Sequence, residues 1–171
     1  MIRPVITYPD KRLWEVSAPV EHFDATLHTL LDDMYETMIA KDGIGLAAIQ
    51  VAVPLRVLII NLVNEEGIQD KGELKEVINP HIVEKNGTTV YKEGCLSVPE
   101  FYEEVERAKQ IKVRYQNRFG QTIEEELEGL WAIAMQHEMD HLAGKLFIER
   151  ISYLKRKKFD KEFKKRQREK G

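Results

Sequence analysis

A chain of 171 residues with 43% hydrophobic content is long enough to bury one core, and no stretch approaches the roughly 20 consecutive apolar residues of a membrane span. Its one cysteine, Cys95, excludes an internal disulfide, and residues 1–9 have neither the apolar run of a signal peptide nor the Arg- and Ser-rich character of a transit peptide, so a cytoplasmic protein is expected. The net charge of −3 hides a division: residues 155–170 carry ten Lys or Arg against Asp160, Glu162 and Glu169, a net of +7, which leaves −10 on residues 1–154.

In chain order, Asp24 is placed to cap a helix whose apolar face is Leu27, Leu30, Leu31, Met34 and Met38, and Lys41-Asp42-Gly43 is a helix-stop signal. Gly43-Ile44-Gly45-Leu46-Ala47-Ala48-Ile49-Gln50 then joins this helix to a Val/Leu/Ile-rich strand at 56–62. Small residues here allow close backbone approach, and the local reading is a tight helix-to-strand turn. It is a poor phosphate loop, because a dinucleotide-binding glycine loop follows a strand and precedes a helix. Residues 76–83, interrupted at Asn79-Pro80, and 88–91, after Asn86-Gly87, read as further strands. Residues 110–116 alternate Ile111, Val113 and Tyr115 and pass through Asn117-Arg118-Phe119-Gly120 into 121–127, an antiparallel hairpin. With residues 126–129 as lead-in, a helix follows that is apolar all round at Leu130-Trp131-Ala132-Ile133-Ala134-Met135 and stops at Gly144. A last helix starts near Ser152. There is no internal repeat and no low-complexity linker. Strands in the middle and helices at both ends predict one α+β domain over 1–171. Its antiparallel or mixed β-sheets would pack around the buried helix, with 151–171 as a basic C-terminal helix.

The buried helix carries the chemistry. Gln136-His137-Glu138-Met139-Asp140-His141-Leu142 contains His-Glu-x-x-His. At 3.6 residues per turn, His137 and His141 are offset by only about 40° and lie on one face, where two ring nitrogens can converge on one metal. Glu138 lies about 100° around the helix, close enough to take a proton from water without being a ligand, which is a metal-hydrolase signature. A surface helix rich in His and Glu would need no metal. Next to an all-apolar stretch, however, these polar groups have to be paired or ligated, and Arg107 is a candidate partner for Asp140. A catalytic tetrahedral site takes three protein ligands and leaves one position open. The metzincin third ligand would stand at position 147, which is Phe147. Glu149, Glu162 and Cys95 remain as candidates. Cys95 sits in Glu93-Gly94-Cys95-Leu96-Ser97 and could equally be a small buried hydrophobe. On these residues alone, a His-Glu-x-x-His endopeptidase and a non-catalytic ribosome-binding protein with a structural metal also stand.

Taken together, Gly-Ile-Gly-Leu-Ala-Ala-Ile-Gln, Glu-Gly-Cys-Leu-Ser and Gln-His-Glu-Met-Asp-His-Leu resemble the three signature motifs of the peptide deformylases, in the family's order and at comparable separations. The resemblance runs from Tyr8-Pro9-Asp10-Lys11-Arg12-Leu13 through the basic C-terminal segment and looks like the bacterial type 1 branch. It implies removal of formate from the N-formyl-methionine of nascent chains. It implies Cys95, His137 and His141 as metal ligands, Glu138 as catalytic acid/base, and Gln50 and the Leu96 N–H as oxyanion donors. Gly45 would line the approach to the metal, with Gly94 beside the bound peptide. The methionine pocket would be built from Ile44, Tyr91, Leu130, Ile133, Ala134 and His137. Tyr102 departs from the family, whose members often have arginine at the substrate entrance. Ferrous iron is the implied ion, while zinc, nickel or cobalt suit the same donors.

In the basic tail, Leu154, Phe159 and Phe163 form a partial apolar stripe. A solvated helix tacked to the body by these residues would explain the pattern. Type 1 relatives use this helix to dock near the ribosomal exit tunnel, so salt-dependent contact with ribosomal RNA is the corresponding expectation.

Overall fold

Helix α1 (Ala25–Ala40) forms where the apolar spacing predicts it, with the Asp24 carboxylate accepting from Leu27 N at 3.2 Å. The computed structural model describes residues 1–170. Five strands, β1 (Gly45–Ala47), β2 (Val57–Ile60), β3 (Lys75–Cys95), β4 (Val98–Gln116) and β5 (Thr122–Glu128), form one sheet in sequential order β1-β2-β3-β4-β5. Every neighbouring pair is antiparallel, and a lone parallel bridge joins Ala18 and Leu55. Helix α2 (Gly129–Leu142) follows β5 without a loop, and α3 (Tyr153–Lys170) closes the chain.

The alternation of β2 explains the layering. Leu58 and Ile60 join a core with Ala132 and Met135 of α2, while Val57 and Ile59 join Leu31, Met34 and Met38 of α1. Helices thus cover both faces of this strand, and all four of its residues are buried. Each such side chain contributes about 2 kcal/mol on burial. A polar residue at any of these positions has no solvent face to turn towards. A third core, with Leu13, Val98, Phe101, Phe147 and Phe159, seats α3 on the start of β4.

The α+β class agrees with the sequence reading, but residues 45–47, read as part of a tight turn, form the edge strand β1, β4 begins at Val98 and not at 110, and further boundaries differ. Residues 76–83 and 88–91 belong to one 21-residue strand, with register shifts after Ile78 and Ile82. Asn79 and Gly87 adopt positive φ inside the ribbon and do not end it. Residues 126–128 finish β5, so they are not a helical lead-in. In α3, Phe159 is buried and Phe163 half-buried, but Leu154 is 76% exposed and takes no part in the stripe. The most consequential irregularity lies at the β3–β4 turn. Glu93 pairs with Glu103 and Cys95 with Val98, so Pro99, Glu100, Phe101 and Tyr102 bulge opposite the single residue Gly94.

The N-terminal segment is strapped to α1 through buried Asp33. Its carboxylate accepts from the Met1 ammonium at 2.8 Å and from Arg3 Nε at 2.9 Å. Hydrogen bonds from the Met1 ammonium and then Arg3 hold Asp33 below the usual carboxylate range. A depressed folded pKa stabilises above the unfolded value of about 3.9 and is lost as pH falls through the folded value. Asp33→Asn is therefore expected to lower the melting temperature at pH 7, with the deficit shrinking below about pH 4; thermal melts across that range check it.

Candidate metal centre

Three elements converge on one point. The hairpin turn of β3 and β4 presents Cys95, and α2 presents His137 and His141 one turn apart. One ligand atom from each lies within 4.8 Å of the others, the one such group of three among the described residues. Cys95 Sγ is 3.4 Å from His141 Nε2, and the two imidazoles meet edge to face at 5.2 Å. Both histidines are buried. Glu149 and Glu162, the other candidate ligands, stand apart: Glu149 accepts from Trp14 Nε1 and Leu146 N, and Glu162 flanks a groove beside α3. Phe147, where a metzincin would have histidine, stacks on His137 at 5.9 Å.

The surrounding groups aim the donors. His137 Nδ1 donates to Glu93 Oε1 at 2.7 Å, which leaves Nε2 for an ion. Glu93 is gripped by both Nε and Nη2 of Arg107 at 2.8 Å, and Arg107 Nη1 reaches Asp140, which also accepts from Arg150 at 2.7 Å. Burial alone would raise Glu93, but the bonds from Arg107 and His137 outweigh it and hold the carboxylate below its usual range. Burial likewise opposes charge on His137, yet the bonds to Cys95 and Glu93 raise it well above an ordinary histidine. His141 is pushed down to about 3 by burial and by its neighbour His137. Gln136 pins the helix to the sheet, its amide pairing with both Ala108 N at 3.0 Å and Ala108 O at 2.9 Å, just short of where β5 begins to cover β4. Gln50 lies on a 3-10 turn (Ala48–Val51). Its Oε1 is fixed by Ala47 N at 2.9 Å, so Nε2 faces Ser97 Oγ at 3.1 Å and Cys95 Sγ at 3.5 Å.

Glu138 is buried, its Oε1 has no hydrogen-bond partner, and burial pushes it up to about 7. A Cβ at Gly45 would lie 2.6 Å from its Oε2, so only glycine lets the edge strand β1 pass this close. A thiol and two imidazoles around one point, beside an unpartnered buried carboxylate, suit a divalent ion. The centre lies at the floor of an open cleft of about 570 Å³. Ile44, Leu130, Ile133 and Ala134 give it an apolar wall; Gly45, Gln50, Gly94, Cys95, Leu96, His137 and Glu138 also line it. Tyr91 and Tyr102 stand exposed at its mouth. All the sequence-derived site residues thus face this cleft except His141, which is buried behind it. Sequence reasoning assigned no role to Glu93 or Gln136, although both stand inside the quoted motifs.

A three-donor centre beside a buried carboxylate whose Oε1 has no hydrogen bond, open to a cleft on an α+β scaffold, is the arrangement of a metal-dependent hydrolase. Residues 2–157 match the family described as Polypeptide deformylase. The chain is 58% identical over 161 residues to the peptide deformylase of Nautilia profundicola, covering 94% of this chain and 92% of that protein. Among solved structures, a peptide deformylase from Legionella pneumophila superimposes with a TM-score of 0.91 at 42% identity, covering 99% of this chain and 98% of that one. A Met-Ala-Ser-bound peptide deformylase from Acinetobacter baumannii does so with a TM-score of 0.82 at 35% identity, covering 88% and 99%. The chain belongs to the polypeptide deformylase family, metal-dependent hydrolases that remove the formyl group from the N-formylmethionine of nascent peptides.

Removing the Glu93 carboxylate frees the His137 ring, so Glu93→Gln is expected to lower affinity for zinc or cobalt by about 10- to 100-fold. Cys95→Ser should weaken binding at least as much, because a neutral alcohol replaces a thiolate. Competition titration of the apoproteins against a chromophoric chelator checks both.

Proposed function

We propose that Cys95, His137 and His141 hold the catalytic ion and that Glu138 moves the proton. The observation that carries this reading is the three-donor cluster within 4.8 Å beside the unpartnered Glu138 Oε1. A divalent ion held by Cys95, His137 and His141 would supply Lewis-acid chemistry and lower the pKa of water towards neutrality. Glu138 accepts the proton of the attacking water and returns it to the amine nitrogen as the C–N bond breaks, so water and formamide become formate and a free amine. The Nε2 amide of Gln50, aimed by its Ala47 bond, and the Leu96 N–H donate to the carbonyl oxygen as it gains charge. One such donor contributes roughly 3 kcal/mol in comparable sites.

The substrate methionine enters the apolar end at Ile44, Leu130, Ile133 and Ala134, with Tyr91 and the ring of His137 beside it. Its backbone pairs with the free edge of β1 at Gly45 and passes Gly94. The Met-Ala-Ser tripeptide bound by the Acinetobacter relative supports a cleft of this kind. Ferrous iron is the proposed ion, since two imidazoles and one thiolate accept it as they do zinc, nickel and cobalt. Its thiolate ligand is open to oxidation in air. The chain acts as one domain over residues 1–171. A cytoplasmic location suits the single reduced cysteine, and no helix among the described residues is long and apolar enough to cross a membrane. The outer face of α3 exposes Lys157, Lys161, Lys164 and Arg168, a basic stripe that supports docking on ribosomal RNA near the exit tunnel.

Anaerobic assay of the ferrous protein on formyl-Met-Ala-Ser is expected to release formate, and Glu138→Ala to retain the ion and lose at least about 10²-fold in kcat. Internal peptide cleavage in place of formate release would overturn the assignment. Ribosome co-sedimentation at low salt is expected to fall as salt rises and to disappear on deletion of residues 155–171.

A further inference from the structure

Next to the cleft runs a second, narrower groove of about 180 Å³, between the bulged start of β4 and the inner face of α3. Thr7, Val98, Pro99 and Glu100 line both depressions, so the bulge is the wall that they share. We infer that this groove takes the downstream backbone of the substrate chain, the residues that follow the three or so accommodated in the cleft. The inference rests on the deformylase reading of the cleft and extends it.

Four observations favour this occupant. The substrate is a growing polypeptide longer than the cleft can hold, and this groove adjoins the cleft across their shared wall. Its floor is apolar and pre-formed: Tyr8 meets Phe159 and Phe163 edge to face at 5.3 and 4.8 Å, and Phe101 meets Phe159 at 4.5 Å. Such rigidity lowers the ordering cost of binding. The wall has left the sheet ladder, since four residues of β4 stand opposite Gly94, and beyond the packing of Phe101 on Phe159 it is held to α3 by Arg166, which donates to the Pro99 and Glu100 carbonyls at 3.5 and 3.3 Å. An extended chain is the partner that exposed strand backbone and a narrow apolar trough accept. Finally, Arg166 and Lys170 are balanced by Glu100 and Glu162 across the groove, so its lining carries no net charge and suits downstream segments of any sequence.

The test uses the metal-loaded enzyme and formyl-Met-Ala-Ser extended stepwise to about ten residues. KM is expected to fall about tenfold with length while kcat stays level, the gain expected from covering one further apolar side chain. Among ten-residue substrates, Asp/Glu in place of Lys at the fifth to eighth residues should change KM by less than about threefold, and the double variant Arg166→Glu, Lys170→Glu should make the Lys-bearing segments bind more tightly than the acidic ones. A peptide bearing p-benzoylphenylalanine at its sixth residue should crosslink within residues 98–101 or 159–170. Turnover of the tripeptide with KM independent of length overturns the groove and leaves the deformylase reading standing, whereas absence of formate from the tripeptide overturns that reading itself. Crosslinks confined to other surfaces, or a length effect that varies with enzyme concentration and so marks a second copy of this chain, also overturn the groove.

Discussion

The buried guanidinium of Arg107 is the group on which the arrangement of this centre depends. Its side chain and that of Glu93 are each 4% exposed, and together with Asp140 they place charges from β3, β4 and α2 in contact. Desolvating such charges is costly, and removing one partner from a buried pair costs about 3–5 kcal/mol because the other is left uncompensated. The network therefore contributes little net stability, but it admits few alternative arrangements. Glu93 can face His137 only while Arg107 neutralises it, and Asp140 can sit between His137 and His141, the proposed ligands, only while Arg107 and Arg150 share its charge. The orientation of the His137 imidazole is in this way set by a cation one residue removed from it.

The same geometry depends on how β3 and β4 pair. A regular ladder would carry the two strands in step to their turn. Here the ladder breaks beside Gly94, and the extra residues of β4 swing away, with Glu100 at φ +64°. The Tyr102 ring then lies against Gly94, where a Cβ would stand 2.3 Å from Cε1. The bulge thus turns Cys95 inwards, opens the cleft mouth, and creates the wall against which α3 packs. One local insertion serves the metal centre, the cleft and the seat of the C-terminal helix, in keeping with the tendency of bulges to lie beside active sites.

The sequence disclosed some of this and concealed the rest for identifiable reasons. Helix α1 was readable because Asp24 and five apolar residues at helical spacing report the same element independently. The donors were readable because His137 and His141 fall on one helical face, and Cys95 because its motif accompanies two others. The length of β3 was hidden: Asn79-Pro80 and Asn86-Gly87 look like breaks, yet the twisted ribbon absorbs both. Asn79 even acquires a tertiary role, its side chain bonding both N and O of Val20. The Glu93–Arg107 pair was hidden because the two residues meet diagonally across two strands, which requires the register to be known. Leu154 misled because hydrophobicity at helical spacing does not say where the neighbouring body ends.

Recognition of many different chains by one centre places a constraint on what the cleft can read. Side chains differ from substrate to substrate, whereas backbone groups and the first methionine do not. An edge strand answers the first requirement, because β1 has a partner only in β2 and can offer its other side to any peptide. In the proposed reading an apolar pocket answers the second, since methionine is flexible and would adapt to walls of Ile44, Leu130 and Ile133, which line the cleft. Selectivity then concentrates at the end of the chain where the formyl group stands. There the approach is so close that Gly45 cannot carry a side chain without displacing Glu138. Under the proposed roles, a residue larger than glycine at that point would exclude the reacting group and leave the methionine pocket intact, which separates binding of the side chain from access to the carboxylate proposed to move the proton.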